Sequence, residues 1–183
     1  MGYTHYIKSV SSPSSLEDAL KIREQISKVL DRNKKFIQYE SGLPYAPENS
    51  ITFDKDDNAQ NLVRFNGIEE DGHETFYISS GFEDGFNFCK TARKDYDVAV
   101  CECLLILKHF LNAGVSSDGF SSYQPEVKPY KVGNVVRSKD VDGNWALAVK
   151  RINKQLETSY KFVVGSVYGD KGQYFSYVLN NLK

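Results

Sequence analysis

Apolar and polar positions along this chain change period several times, and each change marks an element. Tyr3 to Lys8 alternates, with Tyr3 and His5 on one face and Thr4 and Tyr6 on the other, which predicts an opening strand. Ser14 with Glu17, or Ser15 with Asp18, forms a capping box ahead of a helix in which Ala19, Ile22, Ile26, Val29 and Leu30 recur at helical spacing. Lys21, Arg23, Glu24 and Lys28 form its wet face. Pro44, Pro47 and a polar run predict a loop over 39–60 around one short strand at Ile51 to Phe53. Leu62 to Ser80 reads as a hairpin turning at Asp71-Gly72, which tolerates a type I′ turn. That register pairs Arg64 with Ser79, Asn66 with Tyr77 and Ile68 with Thr75. Val63, Phe65, Phe76 and Ile78 then share the core side, and Arg64, Asn66, Thr75, Tyr77 and Ser79 share a side that is either solvated or a binding surface.

Phe86 to Cys89 predicts a third strand, followed by a helix from about Lys94 to Asn112. Its run from Val98 to Leu111 leaves almost no polar face, so it is the buried central helix. Asp95, Glu102 and His109 recur every seven residues and predict its one solvent edge, with Gly114 as a left-handed cap. A turn or short strand over 115–119 comes next, then a polar stretch at 120–139 that reads as an insertion or lid. Asp142 or Asn144 caps a helix near 142–157 in which Trp145, Ala148, Val149, Ile152 and Leu156 make an amphipathic stripe. Phe162 to Tyr168 and Tyr174 to Leu179 flank a Gly-Asp-Lys-Gly turn and predict a closing hairpin, a terminal helix being the alternative for the second segment. Together these predict an α+β fold in one domain over 1–183. A small, mostly antiparallel sheet packs on the buried central helix, with two further amphipathic helices beside it.

Composition narrows the function classes. With 23 basic against 24 acidic residues there is no global field for a nucleic acid backbone, so broad DNA binding is disfavoured and any anion site is local. No stretch approaches the roughly 20 apolar residues that span a bilayer, and the start lacks a signal pattern, so a cytoplasmic protein with no membrane partner is expected. Tyr6 stands where a myristoylation motif needs Ser or Thr. Three cysteines, two of them on diverging faces of the central helix, read as buried thiols. Asp54, Asp56 and Asn58 resemble a calcium loop, but Ala59 and Phe65 stand where its glycine and its glutamate are required. The three histidines lack zinc spacing, so no metal and no cofactor are expected.

Candidate chemistry collects where strand turns into helix. Lys90, Thr91 and Arg93, with Arg64 reaching in from the hairpin, could hold a phosphate or carboxylate beside the helix N-terminus. The competing reading leaves Arg93 and Lys94 exposed, with Asp97 paired to one of them as an ordinary surface contact. Tyr3 and Tyr77 could stack on a ring, and His5, Asn66, Thr75 and Ser117 supply polar recognition, although tyrosines more often pack. An enzyme would use His73 or His5 as acid or base and Asp97 or Asp118 as orienting carboxylate. His73-Glu74-Thr75 matches one half of the paired His-x-Thr motif of two-histidine phosphoesterases, and the other half is absent. Cys89 alternates with phenylalanines and reads as core rather than nucleophile.

An ordered set of short motifs resembles a family of small uncharacterised bacteriophage and bacterial proteins. The set is Gly2-Tyr3-Thr4-His5-Tyr6, Phe65-Asn66-Gly67, Gly72-His73-Glu74-Thr75-Phe76, Phe88 to Lys94 with Tyr96-Asp97, Lys108-His109, and Ser116-Ser117-Asp118-Gly119. The resemblance covers 1–119 plus the helix bearing Trp145; Asp95 stands where the family tends to have Pro, and the 120–139 stretch and longer C-terminus depart from it. It implies a phage context, with the host cytoplasm as location and host defence as one target. The leading expectation is a binding module that captures a phosphate-bearing, nucleotide-derived small molecule and so counters host nucleotide signalling. The alternatives are a phosphodiesterase-like or nucleotide-hydrolase-like enzyme on such a ligand and a protein–protein inhibitor. The C-terminal segment either completes the sheet or reaches a second subunit, which makes a homo-oligomer an open option.

Overall fold

The computed structural model describes residues 3–8, 13–38, 61–79, 86–120, 131–169 and 172–182. The expected loop over 39–60 with its short strand, the calcium-like run at 54–58 and residues 121–130 of the expected lid lie outside them. The elements in chain order are β1 (Thr4–Lys8), α1 (Leu16–Asn33), β2 (Ile37–Gln38), β3 (Asn61–Gly67), β4 (Phe76–Ser79), β5 (Phe86–Lys90), α2 (Asp97–Leu111), β6 (Gly114–Ser117), α3 (Gly143–Leu156), β7 (Tyr160–Gly169) and β8 (Gly172–Asn181). The fold is α+β, and the strands form three small antiparallel sheets, β5-β1-β6, β2-β3-β4 and the β7-β8 hairpin.

Helix α2 is the core, since the side chains from Asp97 to Leu107 are all buried, and α1 and α3 pack against it. Helix α1 starts as its capping box requires: the Ser15 hydroxyl accepts the Asp18 amide, and Ala19, Ile22, Ile26, Val29 and Leu30 are buried. Helix α3 is capped by Asp142, whose carboxylate accepts the Asn144 amide, and it buries Trp145, Ala148 and Ile152. No helix among the described residues is long and apolar enough to cross a membrane.

Four expectations are corrected. The Asp71-Gly72 turn is not type I′: a 3₁₀ turn at Glu69–Asp71 follows β3, Gly72 keeps a negative φ of −75°, and the hairpin pairs Arg64 with Tyr77 and Phe65 with Phe76. The apolar side still faces inward, because the new register keeps the alternation of both strands. The central helix begins at Asp97 rather than Lys94, since two turns, closed by Lys94 N–H to Thr91 and by Asp97 N–H to Lys94, occupy 91–97. Asn112 takes the left-handed cap at φ 49°, while Gly114 opens β6 opposite Lys8. Glu102 is no solvent edge, for its side chain has no exposed surface. Heptad spacing locates a stripe on the helix without saying whether water or another helix covers it.

Candidate functional site

Two polar assemblies flank α2, and both are built from residues that its position brings together. In the first, the β1-β6 pairing sets His5 opposite Ser117, and the β1-β5 pairing brings Thr91, which follows β5, beside β1. His5 Nδ1 lies 2.9 Å from Ser117 Oγ and Nε2 lies 2.6 Å from Asp97 Oδ1. Ser117 Oγ already accepts the Trp145 indole N–H at 2.9 Å and the Gly119 amide at 3.0 Å. The two ring nitrogens of His5 thus bridge Ser117 to Asp97. Asp97 also accepts the Thr91 hydroxyl and, at 2.8 Å, the Asn144 amide. Burial alone would raise the Asp97 carboxyl, but the bonds from His5, Thr91 and Asn144 outweigh it and hold the group below the ordinary carboxylate range.

The order Ser117, His5, Asp97 matches the connectivity of a nucleophile, base and orienting acid. Its chemistry differs, because His5, Asp97 and Ser117 are at most 1% exposed and the serine lone pairs are occupied by N–H donors. His5, Asp97 and Cys101 also offer three metal-ligand types whose atoms all lie within 4.8 Å of one another. The same atoms are joined in a hydrogen-bonded knot, with Cys101 Sγ 3.8 Å from Asp97 Oδ2, and burial pushes the Cys101 thiol well up. Tyr3 stands edge-on to His5 with ring centroids 5.2 Å apart, and its buried Oη has no hydrogen-bond partner among the described residues.

The second assembly is open. A groove of about 530 Å³ runs between the end of α1, the 91–97 turns and α3. Among the described residues Arg32, Lys35, Arg93, Lys94 and Arg151 line it against the one lining carboxylate of Asp95, and Phe36, Asn33 and Asn144 also stand in its walls. Behind it the buried Glu102 carboxylate holds two arginines side by side, Arg32 Nε at 2.7 Å and Arg151 Nη1 at 3.0 Å. Both guanidiniums remain partly exposed, so each keeps N–H donors for solvent or a ligand. On the opposite wall Ala92 and Arg93 both adopt left-handed backbone, φ 51° and 57°, a conformation that costs non-glycine residues about 1 kcal/mol or more each. The turn puts the Arg93 guanidinium 4.0 Å over the Tyr3 ring and 3.1 Å from Asp142, and makes Lys94 a wall of the groove. Lys94 Nζ also donates to the Glu70 carbonyl at 3.1 Å.

The sequence-predicted residues separate into four places. His5, Thr91, Ser117, Tyr3 and Asp97 meet in the knot, with Arg93 stacked on its Tyr3 ring. Arg64, Asn66, Thr75 and Tyr77 stay together on the hairpin, where the Asn66 amide approaches Thr75 at 3.4 Å and its oxygen accepts the His73 amide. Lys90 is engaged with Glu74, its ammonium at 3.7 Å and its backbone N–H at 2.7 Å, and Cys89 is a buried thiol pushed up to about 12 chiefly by burial. Asp118 accepts the Thr4 amide at 2.9 Å. Sequence reasoning missed Arg32, Lys35, Phe36, Lys94, Asn144 and Arg151. Asn144, Leu147 and Arg151 follow helical spacing and Lys94 adjoins Arg93, but nothing in the chain says that α1 and α3 converge on that spot. In comparisons with known proteins, no family model, no curated protein and no solved structure matches the chain.

Proposed function

We propose that this chain binds a phosphate-bearing, nucleotide-like small molecule in the groove walled by Arg32, Lys35, Arg93, Lys94 and Arg151. The observation that carries the reading is that groove's lining of five cations, two of them fixed by one buried carboxylate. Guanidinium groups already oriented by Glu102 lose little freedom on meeting phosphate oxygens, and planar donors suit them geometrically. The volume falls in the range of small-molecule sites, and Phe36 offers a ring for a base. Strain at Ala92 and Arg93 supports the same reading, since backbone outliers persist where a side chain must be aimed. Capture fits this geometry better than turnover. Among the described residues the groove lining holds no histidine, cysteine or serine, and the acid-base pair His5 and Asp97 is closed off in the core. The resemblance to small phage proteins supplies a context, sequestration of a host defence nucleotide.

The test is a thermal-shift screen of the purified chain against nucleotides, cyclic oligonucleotides and ADP-ribose derivatives, with each mixture then examined by mass spectrometry. A ligand at a hundredfold excess over its dissociation constant stabilises by about 2.7 kcal/mol. Stabilisation that disappears in Arg151→Ala and Lys94→Ala, with ligand recovered intact, supports capture. Altered ligand makes the chain an enzyme, and no shift with any compound removes the nucleotide reading.

A further inference from the structure

On the other side of Leu147 lies a second groove of different character. It has a volume of about 710 Å³ and runs between α3, β7 and the segment 135–138. Main-chain bonds fix that wall to β7: Val136 N–H donates to Phe162 at 2.8 Å, Val164 N–H to Asn134 at 3.0 Å and Gly133 N–H to Val164 at 2.8 Å. The floor is buried Val136, Tyr160 and Phe162, and the flanks leave Val135 at 46% and Leu147 at 38% exposure. Aliphatic walls kept open by a fixed backbone hold apolar surface against water.

Charge says what would cover it. Among the described residues no carboxylate lines this groove, whereas Lys150 and Lys161 do, and neither has an anionic partner there. The other lining cation, Arg137, is engaged by Asp140 at 3.3 Å. Lys150 follows Ala146 by one helical turn, so on α3 an ammonium stands directly after the apolar wall. We infer that this groove binds a single-chain amphiphilic anion, an alkyl carboxylate of the fatty-acid class, with the chain along Val135, Ala146, Leu147 and Val149 and the headgroup at Lys150 and Lys161. A compact ammonium is a point charge suited to one carboxylate, and flexible aliphatic walls suit an alkyl chain better than a rigid base. This site is separate from the cationic groove and stands independently of the function proposed for it.

Calorimetric titration of the full chain tests it, using octanoate, decanoate and dodecanoate as monomers, with dodecanol and dodecylammonium as controls. Affinity is expected to rise about fourfold per added methylene, the equivalent of about 0.8 kcal/mol each. Dodecanoate should bind at least tenfold more tightly than dodecylammonium, and Lys150→Glu with Lys161→Glu should invert that order while leaving dodecanol unchanged. Both lysines are exposed, and an unchanged melting temperature confirms that the double variant folds. Saturating pyrophosphate should leave dodecanoate affinity unaltered. Absence of binding, equal affinity for anion and cation, no dependence on chain length, or displacement by pyrophosphate would each overturn the assignment.

Discussion

Asp97 and Glu102 stand five residues apart on α2, both fully buried, and they are satisfied in opposite ways. Asp97 receives donors from His5, Thr91 and Asn144 and keeps its charge inside the knot. Glu102 receives two guanidiniums whose outer faces reach solvent. A carboxylate whose acceptor sites are filled by donors held within the core makes structure, because those donors are consumed by it and none is left to face a ligand. One neutralised by two arginines is over-compensated, and the surplus positive charge appears at a surface where an anion can use it.

The largest expected break of this comparison is Asp97→Ala, which strands the buried donors of His5 and Thr91 and the half-buried Asn144 amide and should cost about 3–5 kcal/mol in urea unfolding. Gly119→Ala attacks the same side by packing. A Cβ there would meet Tyr3 Oη at 2.2 Å and Trp145 Cδ1 at 2.7 Å, so a loss of about 1–3 kcal/mol is expected in the same measurement. Glu102→Gln tests the open side, where both arginines are about one-third exposed and water screens the loss. Stability should fall by about 1–2 kcal/mol while pyrophosphate affinity, read by calorimetry, falls less than in Arg151→Ala. If Glu102→Gln abolished binding and left stability intact, the division of roles would be reversed.

Acid sharpens the contrast. The folded pKa of Asp97 lies below its unfolded value of about 3.9, so its contribution to stability is complete above that value and is lost as pH falls through the folded value. The stability gap between the native chain and Asp97→Asn should therefore be constant at neutral pH and narrow only beneath about pH 4. The smallest effect is Arg93→Ala, since the side chain is 60% exposed and its bond to Asp142 is a surface one. It should shift stability by under about 1 kcal/mol yet weaken anion binding measurably.

Much of the fold was legible in the chain because its local signals agree with their surroundings. Ser15 with Asp18 capped the first helix, Asp142 the third, and the apolar run after Asp97 could only be a buried helix. The cationic groove was legible in one residue only. Arg93 was found because it follows a strand in a cation-rich run, and the left-handed turn that aims it and makes Lys94 a groove wall leaves no mark in composition. Glu102 was misread as wet and the groove's other wall was missed, since a period of seven describes one helix and never its neighbour.

By itself, then, the sequence determined which faces are apolar, where helices start and stop, and that any anion site must be local, because caps, periodicity and net charge are properties of contiguous residues. Only the tertiary structure decided that His5, separated from Asp97 by 92 positions, is its hydrogen-bond partner, and that Arg32 and Arg151 share one carboxylate. Those pairings depend on how three helices and β1 converge, and the free energy of burying charge, which makes them obligatory, exists only once the core has excluded water.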